Sequence, residues 1–241
     1  MAMKLNDWVE QAVKPFKDSS MGWLSQYHFF RDPNRPSFTD LNYFFSPGDG
    51  IILYQKTVHP DESLVEIKGR NYSLRDAMRE SSLEGPSLVI GIFMTFMDVH
   101  INRIPYPGVL SYKELDPLDT YNHPMLDQET SIFEDLRINH EALEYLHHNE
   151  RVLNRIYSMH LGQLYYVLQI ADYEVDCIAP FNRKQNHPVM QGDRFSQVRY
   201  GSQVDLIVPL SPRFRFITCQ EDGTHVEAGI DPLIKVISKT K

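Results

Sequence analysis

The chain has 241 residues and a formal net charge of −8, with 42% hydrophobic and 23% charged residues. This composition is that of a folded globular protein, and its acidic balance argues against a nucleic-acid partner and against broad electrostatic adhesion to anionic lipid. The sequence has no run of about 18 apolar residues and no apolar signal-peptide core, so we expect a cytoplasmic protein whose cysteines, Cys177 and Cys219, stay reduced.

The first predicted element is an N-terminal amphipathic helix over residues 5–16. Apolar residues at spacings of three and four share one face of this helix: Leu5, Trp8, Val9, Ala12, Val13 and Phe16. Asn6 is a candidate cap, and Pro15 is expected to end or bend the helix. The apolar face either packs on the protein's own core or lies on a membrane surface as a peripheral anchor.

The first half of the chain then reads mainly as strands. After an extended connection at residues 31–36, strands are predicted at 51–58, 64–68 and 87–97, with a short helix at 72–80.

The second half begins less regularly. Residues 112–128 look irregular and residues 131–157 are predicted to be partly helical. Strands return at 163–170, 204–210 and 213–218, and a turn at Gly223 precedes the tail. With no repeat and no βαβ alternation, the pattern predicts one β-rich α+β domain over residues 1–241.

The sequence carries none of the common cofactor or hydrolase motifs. It has no P-loop, no Gly-rich dinucleotide fingerprint, no Cys-x-x-Cys pair and no Gly-x-Ser-x-Gly elbow. His147 and His148 are adjacent, and neighbouring residues of a helix point about 100° apart, so the pair is ill placed to share one metal ion. We therefore expect no metal site.

Three short segments place titratable or reactive side chains next to predicted strands. Asp49 lies in the turn Ser-Pro-Gly-Asp-Gly, where an aspartate commonly caps backbone amides. His100 follows an apolar strand, where an acid or base is held rigidly, although a structural histidine fits the same place. Gly201 and Ser202 stand at the mouth of a strand, where a β-bulge or a simple strand start is the alternative interpretation.

In their order along the chain, these segments resemble the phosphatidylserine decarboxylase family over nearly the whole sequence. The matching motifs are Phe-Phe-Arg-Asp-Pro at 29–33, Ser-Pro-Gly-Asp-Gly at 46–50, Lys-Gly-x-x-Tyr-Ser-Leu at 68–74, Asp-Val-His at 98–100, Asn-Glu-Arg-Val at 149–152, Gly-Asp at 192–193 and Gly-Ser at 201–202. Chance does not readily produce so many motifs in the right order and spacing.

The resemblance implies that the chain makes its own prosthetic group. The Ser202 hydroxyl would attack the carbonyl of Gly201, and elimination would leave a β chain of residues 1–201 and an α chain of residues 202–241 that begins with a pyruvoyl group. The pyruvoyl ketone would condense with the substrate amine and act as the electron sink for decarboxylation. The resemblance gives catalytic roles to Ser202, His100 and Asp49, with His100 as the acid that protonates the substrate's α carbon. Ser202 is expected in a turn before its strand, near the other two residues.

The chain departs from the family pattern at two places. Arg103 stands where many bacterial members have a second histidine of a processing triad, and arginine cannot act as a base. The pattern Asp-Val-His-x-Asn-Arg at 98–103 instead resembles the family's shorter branch. Either His100 therefore serves in both processing and turnover, or Asp49 acts through another group. The segment Ile170-Ala171-Asp172 stands where the family often has Val-Gly-Ala, which leaves the lipid substrate in question.

Three functions remain open at this point. The first is decarboxylation of phosphatidylserine to phosphatidylethanolamine, with peripheral membrane contact. The second is pyruvoyl-dependent decarboxylation of a small or aromatic amino acid, and the third is an unprocessed, non-catalytic relative. The resemblance also predicts a core like the barrel-sandwich hybrid of biotinyl and lipoyl domains. It leaves the oligomeric state open, including a homo-oligomer.

Overall fold

The fold is β-rich, with several short helical segments. The computed structural model describes residues 1–79, 83–115, 123–172, 178–199 and 201–239. The strands in chain order are β1 (Met3–Lys4), β2 (Tyr43–Phe45), β3 (Gly50–Val58), β4 (Ser63–Ile67), β5 (Arg70–Ser73), β6 (Ser87–Met94), β7 (Ile101–Arg103), β8 (Gly108–Leu115), β9 (Arg151–Ser158), β10 (Gln163–Ala171), β11 (Ile178–Pro180), β12 (His187–Val189), β13 (Arg194–Val198), β14 (Ser202–Pro209), β15 (Phe214–Thr218), β16 (Thr224–Val226) and β17 (Pro232–Ser238).

The helices are short and lie mostly between strands. The α-helices are α1 (Leu5–Trp8), α2 (Met21–Trp23), α3 (Leu74–Met78), α4 (Leu126–Phe133) and α5 (Tyr145–His148). Turns of π-helix cover Val9–Val13 and Leu24–His28, and turns of 3-10 helix cover Lys14–Phe16 and His140–Ala142. In the described part of the chain, no helix is both long and apolar enough to cross a membrane.

One large sheet dominates the structure. It has nine strands in the order β1-β16-β3-β6-β14-β10-β9-β8-β12, and its described pairings are antiparallel. Two three-stranded sheets, β11-β13-β7 and β15-β17-β2, and the hairpin β4-β5 complete the strand pairing.

Both faces of the large sheet are buried, each against its own apolar cluster. Side chains alternate between the faces of a strand, so along β14 the even-numbered residues face one cluster and the odd-numbered ones the other. Val204, Leu206 and Val208 join Met94 and Phe44 on the first face. On the second face, Ile207 belongs to the cluster that includes Trp8, Tyr54 and Phe93. The central strand β14 is therefore enclosed along most of its length, which positions its first residue, Ser202.

The structure corrects several expectations from the sequence. Residues 151–158 form β9 rather than helix, because they pair with β10 and β8 on both sides. The segment 112–128 was expected to be irregular, but strand β8 occupies its start, and its residues 116–122 lie outside the described ones. The tail contains two strands, β16 and β17. The segment 5–16 is helical, but its turns change between α, π and 3-10 geometry. Cys219 is a free, exposed thiol, whereas Cys177 lies outside the described residues.

Candidate active site

Ser202 is fully buried at the first position of the central strand, not in a turn before it. Its backbone pairs with Met94 on β6 and with Ala171 on β10. The Ser202 hydroxyl donates to the Met94 sulfur at 3.5 Å, which is a weak acceptor. Residue 202 is thus held on both sides by strands while its hydroxyl engages a weak partner.

A buried polar network lies behind Met94 on the same face. The Asn102 amide donates to the Met94 sulfur at 3.5 Å, and Asn102 Oδ1 accepts from Gln169 Nε2 at 2.5 Å. Gln169 also donates to Ser196 Oγ at 2.5 Å and accepts from Asn154 at 2.8 Å. Such buried amides need partners with good geometry, so the network fixes the surroundings of Ser202.

His100 is fully buried, and its ring orientation is fixed. Its Nδ1 lies 3.1 Å from the Asp98 carbonyl oxygen. A carbonyl can only accept, so Nδ1 carries the hydrogen and Nε2 of the neutral ring keeps the lone pair that a base requires. Phe29 stacks on the ring at 4.1 Å. The His100 carbonyl accepts from the Val198 amide at 3.1 Å, which ties His100 to the strand that leads towards Gly201.

Asp98 forms a buried hydrogen bond with His225 that the sequence did not indicate. Its Oδ1 accepts from His225 Nε2 at 2.7 Å, and its Oδ2 accepts from the Thr95 amide and hydroxyl. Burial alone would raise the pKa of Asp98, but His225 and Thr95 outweigh it and hold the pKa below its ordinary value. Trp8 stacks on His225 at 4.5 Å, so the N-terminal helix covers this pair rather than facing outwards.

Asp49 is held by an arginine. Its two carboxylate oxygens accept from Arg35 Nη1 and Nη2 at 2.6 Å each, and Oδ1 also accepts from the Ala228 amide at 2.8 Å. Burial raises the pKa of Asp49, against the lowering effect of Arg35. The turn reaches the site through Gly48, where an added Cβ would lie 3.1 Å from the Met94 sulfur. Gly48, next to Asp49, and the Ser202 hydroxyl therefore lie close to the same methionine, whereas the Asp49 carboxylate is bound by Arg35 and Ala228.

Arg103 supports a neighbouring turn. Its Nη1 donates to the Gly192 carbonyl at 3.0 Å, and it forms an ion pair with Asp32 at 3.4 Å. Its Cδ atom also lies 3.0 Å from the position that a Cβ on Gly229 would occupy. The contacts described for Arg103 thus hold the turn that contains the Gly192-Asp193 motif.

Two carboxylates that the sequence analysis did not assign lie on the Gly201 side of the strand. A Cβ added to Gly201 would stand 3.2 Å from Asp172 Oδ2, and Asp172 Oδ1 accepts from the Met125 amide at 2.8 Å. Glu129 Oε1 accepts from the Phe96 amide at 2.6 Å. Burial raises the pKa of Glu129 to about 7, with the charge of Asp172 adding to the effect. The departure from the family pattern at Asp172 is the feature of the sequence that could have indicated this residue. No motif in the sequence includes Glu129.

Gln203 anchors the residue after Ser202 on the opposite face. Its Oε1 accepts from the Tyr145 hydroxyl at 2.7 Å, and its Nε2 donates to Tyr54 at 2.8 Å and to Asp205 at 2.6 Å. Tyr54 in turn donates to Asp205 at 2.9 Å. The ring of Tyr54 lies against Gly91, where a Cβ would approach it to 2.4 Å, so this packing requires glycine.

A cavity of about 550 Å³ opens at the same end of the sheet as Ser202. Arg151 on β9 pairs with Ile170, next to the Ala171 that pairs with Ser202. The cavity is lined partly by charged side chains, among them Glu114, Glu150 and Arg183. Among the described residues, no three histidine, cysteine or acidic side chains are grouped so that they could hold a metal ion.

Comparisons with known proteins agree with the motifs. The model of the phosphatidylserine decarboxylase family matches residues 26–232. A phosphatidylserine decarboxylase proenzyme of Pelagibacter ubique is 31% identical over 181 residues, which are 75% of this chain and 67% of that protein. A putative archaetidylserine decarboxylase proenzyme of Methanothermobacter thermautotrophicus is 30% identical and covers 75% of this chain and 69% of its own. A Chlorobium phaeobacteroides proenzyme is 25% identical, with 85% of this chain and 77% of its own length covered. No solved structure matches the chain.

Proposed function

Because the chain belongs to the phosphatidylserine decarboxylase family, we propose that it cuts itself between Gly201 and Ser202 and then converts phosphatidylserine to phosphatidylethanolamine. The observation that carries the proposal is the position of this peptide. It stands at the start of a buried central strand, within the family match, with His100 tied to the strand that leads to it. The relatives' names, as proenzymes, also support self-processing.

In processing, the chain's own residues do the chemistry. The Ser202 oxygen loses its proton and bonds to the Gly201 carbonyl carbon while the bond from that carbon to the Ser202 nitrogen breaks. Removal of the Ser202 α proton then releases Gly201 as a carboxylate, and water replaces the nitrogen, which leaves as ammonia. Glycine at 201 suits this attack because no side chain blocks it.

We assign both processing and turnover to His100. The bidentate pairing of Asp49 with Arg35 favours a positioning role for Asp49, which orders the turn against Met94. His100 has its Nδ1 hydrogen directed to a carbonyl, which leaves Nε2 as the atom that accepts or returns a proton. In turnover His100 supplies the proton that replaces carbon dioxide on the substrate's α carbon.

The residues around position 202 fit a pyruvoyl group derived from Ser202. The backbone at 202 is held between β6 and β10, and the Gln203 side chain fixes the following residue through buried partners. The pyruvoyl ketone supplies an electron sink for decarboxylation. The role of the protein is to hold that position rigidly.

We place the protein in the cytoplasm with peripheral contact to a membrane, through a different surface from the one the sequence indicated. Leu5, Trp8 and Val9 are buried in the core and are unsuited to an anchor. Downstream of them, four large apolar side chains in and beside α2 are exposed: Met21, Trp23, Tyr27 and Phe30. Aromatic side chains with one polar end suit the interface between water and lipid.

Assays of purified protein test the function. Wild-type protein should decarboxylate phosphatidylserine in vesicles, and Ser202→Ala should remain one chain with no activity. His100→Ala should lose at least about 100-fold in turnover, the usual contribution of a general acid.

Replacing Trp23 and Tyr27 by alanine should lower the rate on vesicles but spare the rate on short-chain dispersed lipid. Activity on free amino acids without activity on the lipid would assign the soluble alternative, and an active Ser202→Ala protein would refute self-processing.

A further inference from the structure

Asp172 is the charged group that the structure brings to the scissile glycine. Its Oδ2 lies 3.2 Å from the position of a Cβ on Gly201, and its Oδ1 is fixed by the Met125 amide at 2.8 Å. Asp172 follows the end of β10 and is partly exposed, whereas Ser202 on the neighbouring strand is fully buried. The carboxylate is thus oriented by the backbone amide of Met125, on a residue that is partly exposed.

The uncut peptide shows where a substrate must sit. If the proposed processing occurs, the ketone carbon is the former α carbon of Ser202, and its oxygen replaces the Ser202 nitrogen. A substrate nitrogen that bonds to this carbon takes the place of that oxygen. The substrate's α carbon then takes the place of the Gly201 carbonyl carbon, once Gly201 has moved away. Groups that surround Gly201 before processing therefore surround the amine end of the substrate afterwards.

An amino group arrives in the wrong protonation state for attack. Amino groups are protonated at neutral pH, and an ammonium nitrogen has no lone pair with which to bond to a ketone. A base must stand beside the nitrogen, within about 3 Å of it. His100 is already assigned to the later proton transfer to carbon, so the first transfer calls for another group.

We propose that Asp172 is a further catalytic residue, which takes the proton from the substrate's ammonium group so that its nitrogen can attack the ketone at residue 202. This inference rests on the proposed function. The nitrogen's freed electron pair forms the bond to carbon, and the carbon–oxygen double bond opens. Asp172 then returns this proton to that oxygen and passes a second proton from the nitrogen to it, so the oxygen leaves as water while the nitrogen, now double-bonded to carbon, keeps one proton. The carboxylate ends as it began, and no other reactant is consumed.

Two trapping reactions separate this role from a structural one. Phenylhydrazine is neutral at pH 7 and attacks a ketone without a base, whereas phosphatidylserine first has to lose a proton. In Asp172→Asn the side-chain oxygen can still accept from the Met125 amide. We expect phenylhydrazine to label the 202–241 fragment of wild type and variant at equal rates. Trapping of phosphatidylserine on that fragment by cyanoborohydride should slow about 100-fold in the variant. The matched control is Asp127→Asn, an exposed acidic residue of α4, which should change neither rate.

The outcomes are distinguishable. Absence of a phenylhydrazine adduct on the wild-type protein would overturn the proposed function itself. An adduct that forms normally, with lipid trapping unchanged in Asp172→Asn, would overturn only the role of Asp172. Equal slowing of both reactions would show that Asp172 merely positions residue 202. Asp172→Ala provides a second test, because added acetate should restore its lipid trapping. If neither variant cuts itself, Asp172 acts in processing and the proposal is wrong.

Discussion

Glu129 illustrates how burial sets the behaviour of a single residue near the scissile bond. The environment of its carboxyl raises the pKa to about 7 from an ordinary value of 4.5. Between those values the folded protein keeps a proton that the unfolded chain has lost. Linkage then requires that stability falls as the pH rises through this window, and that the loss is complete above about pH 7.

Replacing Glu129 by glutamine should therefore stabilise the protein selectively at higher pH. The measured quantity is the free energy of unfolding of Glu129→Gln minus that of the parent. This difference should increase by about 2 kcal/mol between pH 4.5 and pH 7.5, after allowance for the partial exposure of the side chain. Urea unfolding at a series of pH values, in the uncut Ser202→Ala background, measures it. Glu134→Gln, at an exposed position on the same segment, is the control. A difference that does not change with pH would show that Glu129 ionises normally.

The sequence indicated the site residues that belong to motifs, and it missed the residues that only the fold brings to the site. Ser202, His100 and Asp49 belong to recognisable motifs. The structure places Ser202 and the turn before Asp49 beside Met94, and it ties His100 to β13. Their chemical roles stay predictions. His225 and Glu129 have no such motif, since they reach Asp98 and Phe96 through contacts across long sequence separations. Spacing along one chain does not encode such contacts.

Strand β14 is the element on which the proposed chemistry depends. It pairs with β6 over its whole length and with β10 from Ser202 to Ile207. The buried Gln203 side chain joins Tyr145, Tyr54 and Asp205. A buried donor or acceptor that loses its partner costs about 1–3 kcal/mol. The start of the strand is therefore held by side-chain hydrogen bonds in addition to its backbone ladder.

Gln203→Leu should weaken this anchor. We expect the free energy of unfolding to fall by about 3 kcal/mol, because several buried groups lose their partner at once. Self-cleavage should also slow, since residue 202 is less firmly held. Gln163→Leu is the matched control at the far end of the strand pair, where the glutamine donates to the Pro209 carbonyl, and it should cost about 1 kcal/mol. Denaturant unfolding in the Ser202→Ala background and a time course of cleavage give the two values. Equal losses in both variants would refute the anchor.

Strands with clear period-two or apolar patterns were predicted well, and others were not. The predictions for β3, β4, β10, β14 and β15 are confirmed to within two residues. Strand β9 was read as helix because leucine and arginine favour helices locally, but pairing on both edges overrides that preference. Strand β16 pairs with β3, and strand β17 pairs with β2 as well as with the nearby β15, so both have partners far away in sequence. The likeness to a barrel-sandwich hybrid stays a prediction.

At the scale of the whole molecule, the two expected fragments are interleaved. In the large sheet, β14 and β16 belong to residues 202–241, yet β3 and β6 of residues 1–201 lie between them. Strand β17 also pairs with β2 of the first fragment. Cleavage before residue 202 therefore leaves the hydrogen-bonded ladders intact, and the fragments should separate only on unfolding.

If Ser202 becomes a pyruvoyl group, the masses of the two fragments must show the change. The purified protein is passed through size exclusion in native buffer, and the eluted peak is then denatured and weighed by mass spectrometry. We expect one native peak that yields a chain ending at Gly201 and a chain starting at residue 202. The second chain should be one ammonia lighter than its serine-started sequence and should lack a free α-amine. A single uncut chain with an ordinary Ser202 in active protein would rule out a pyruvoyl group at this position.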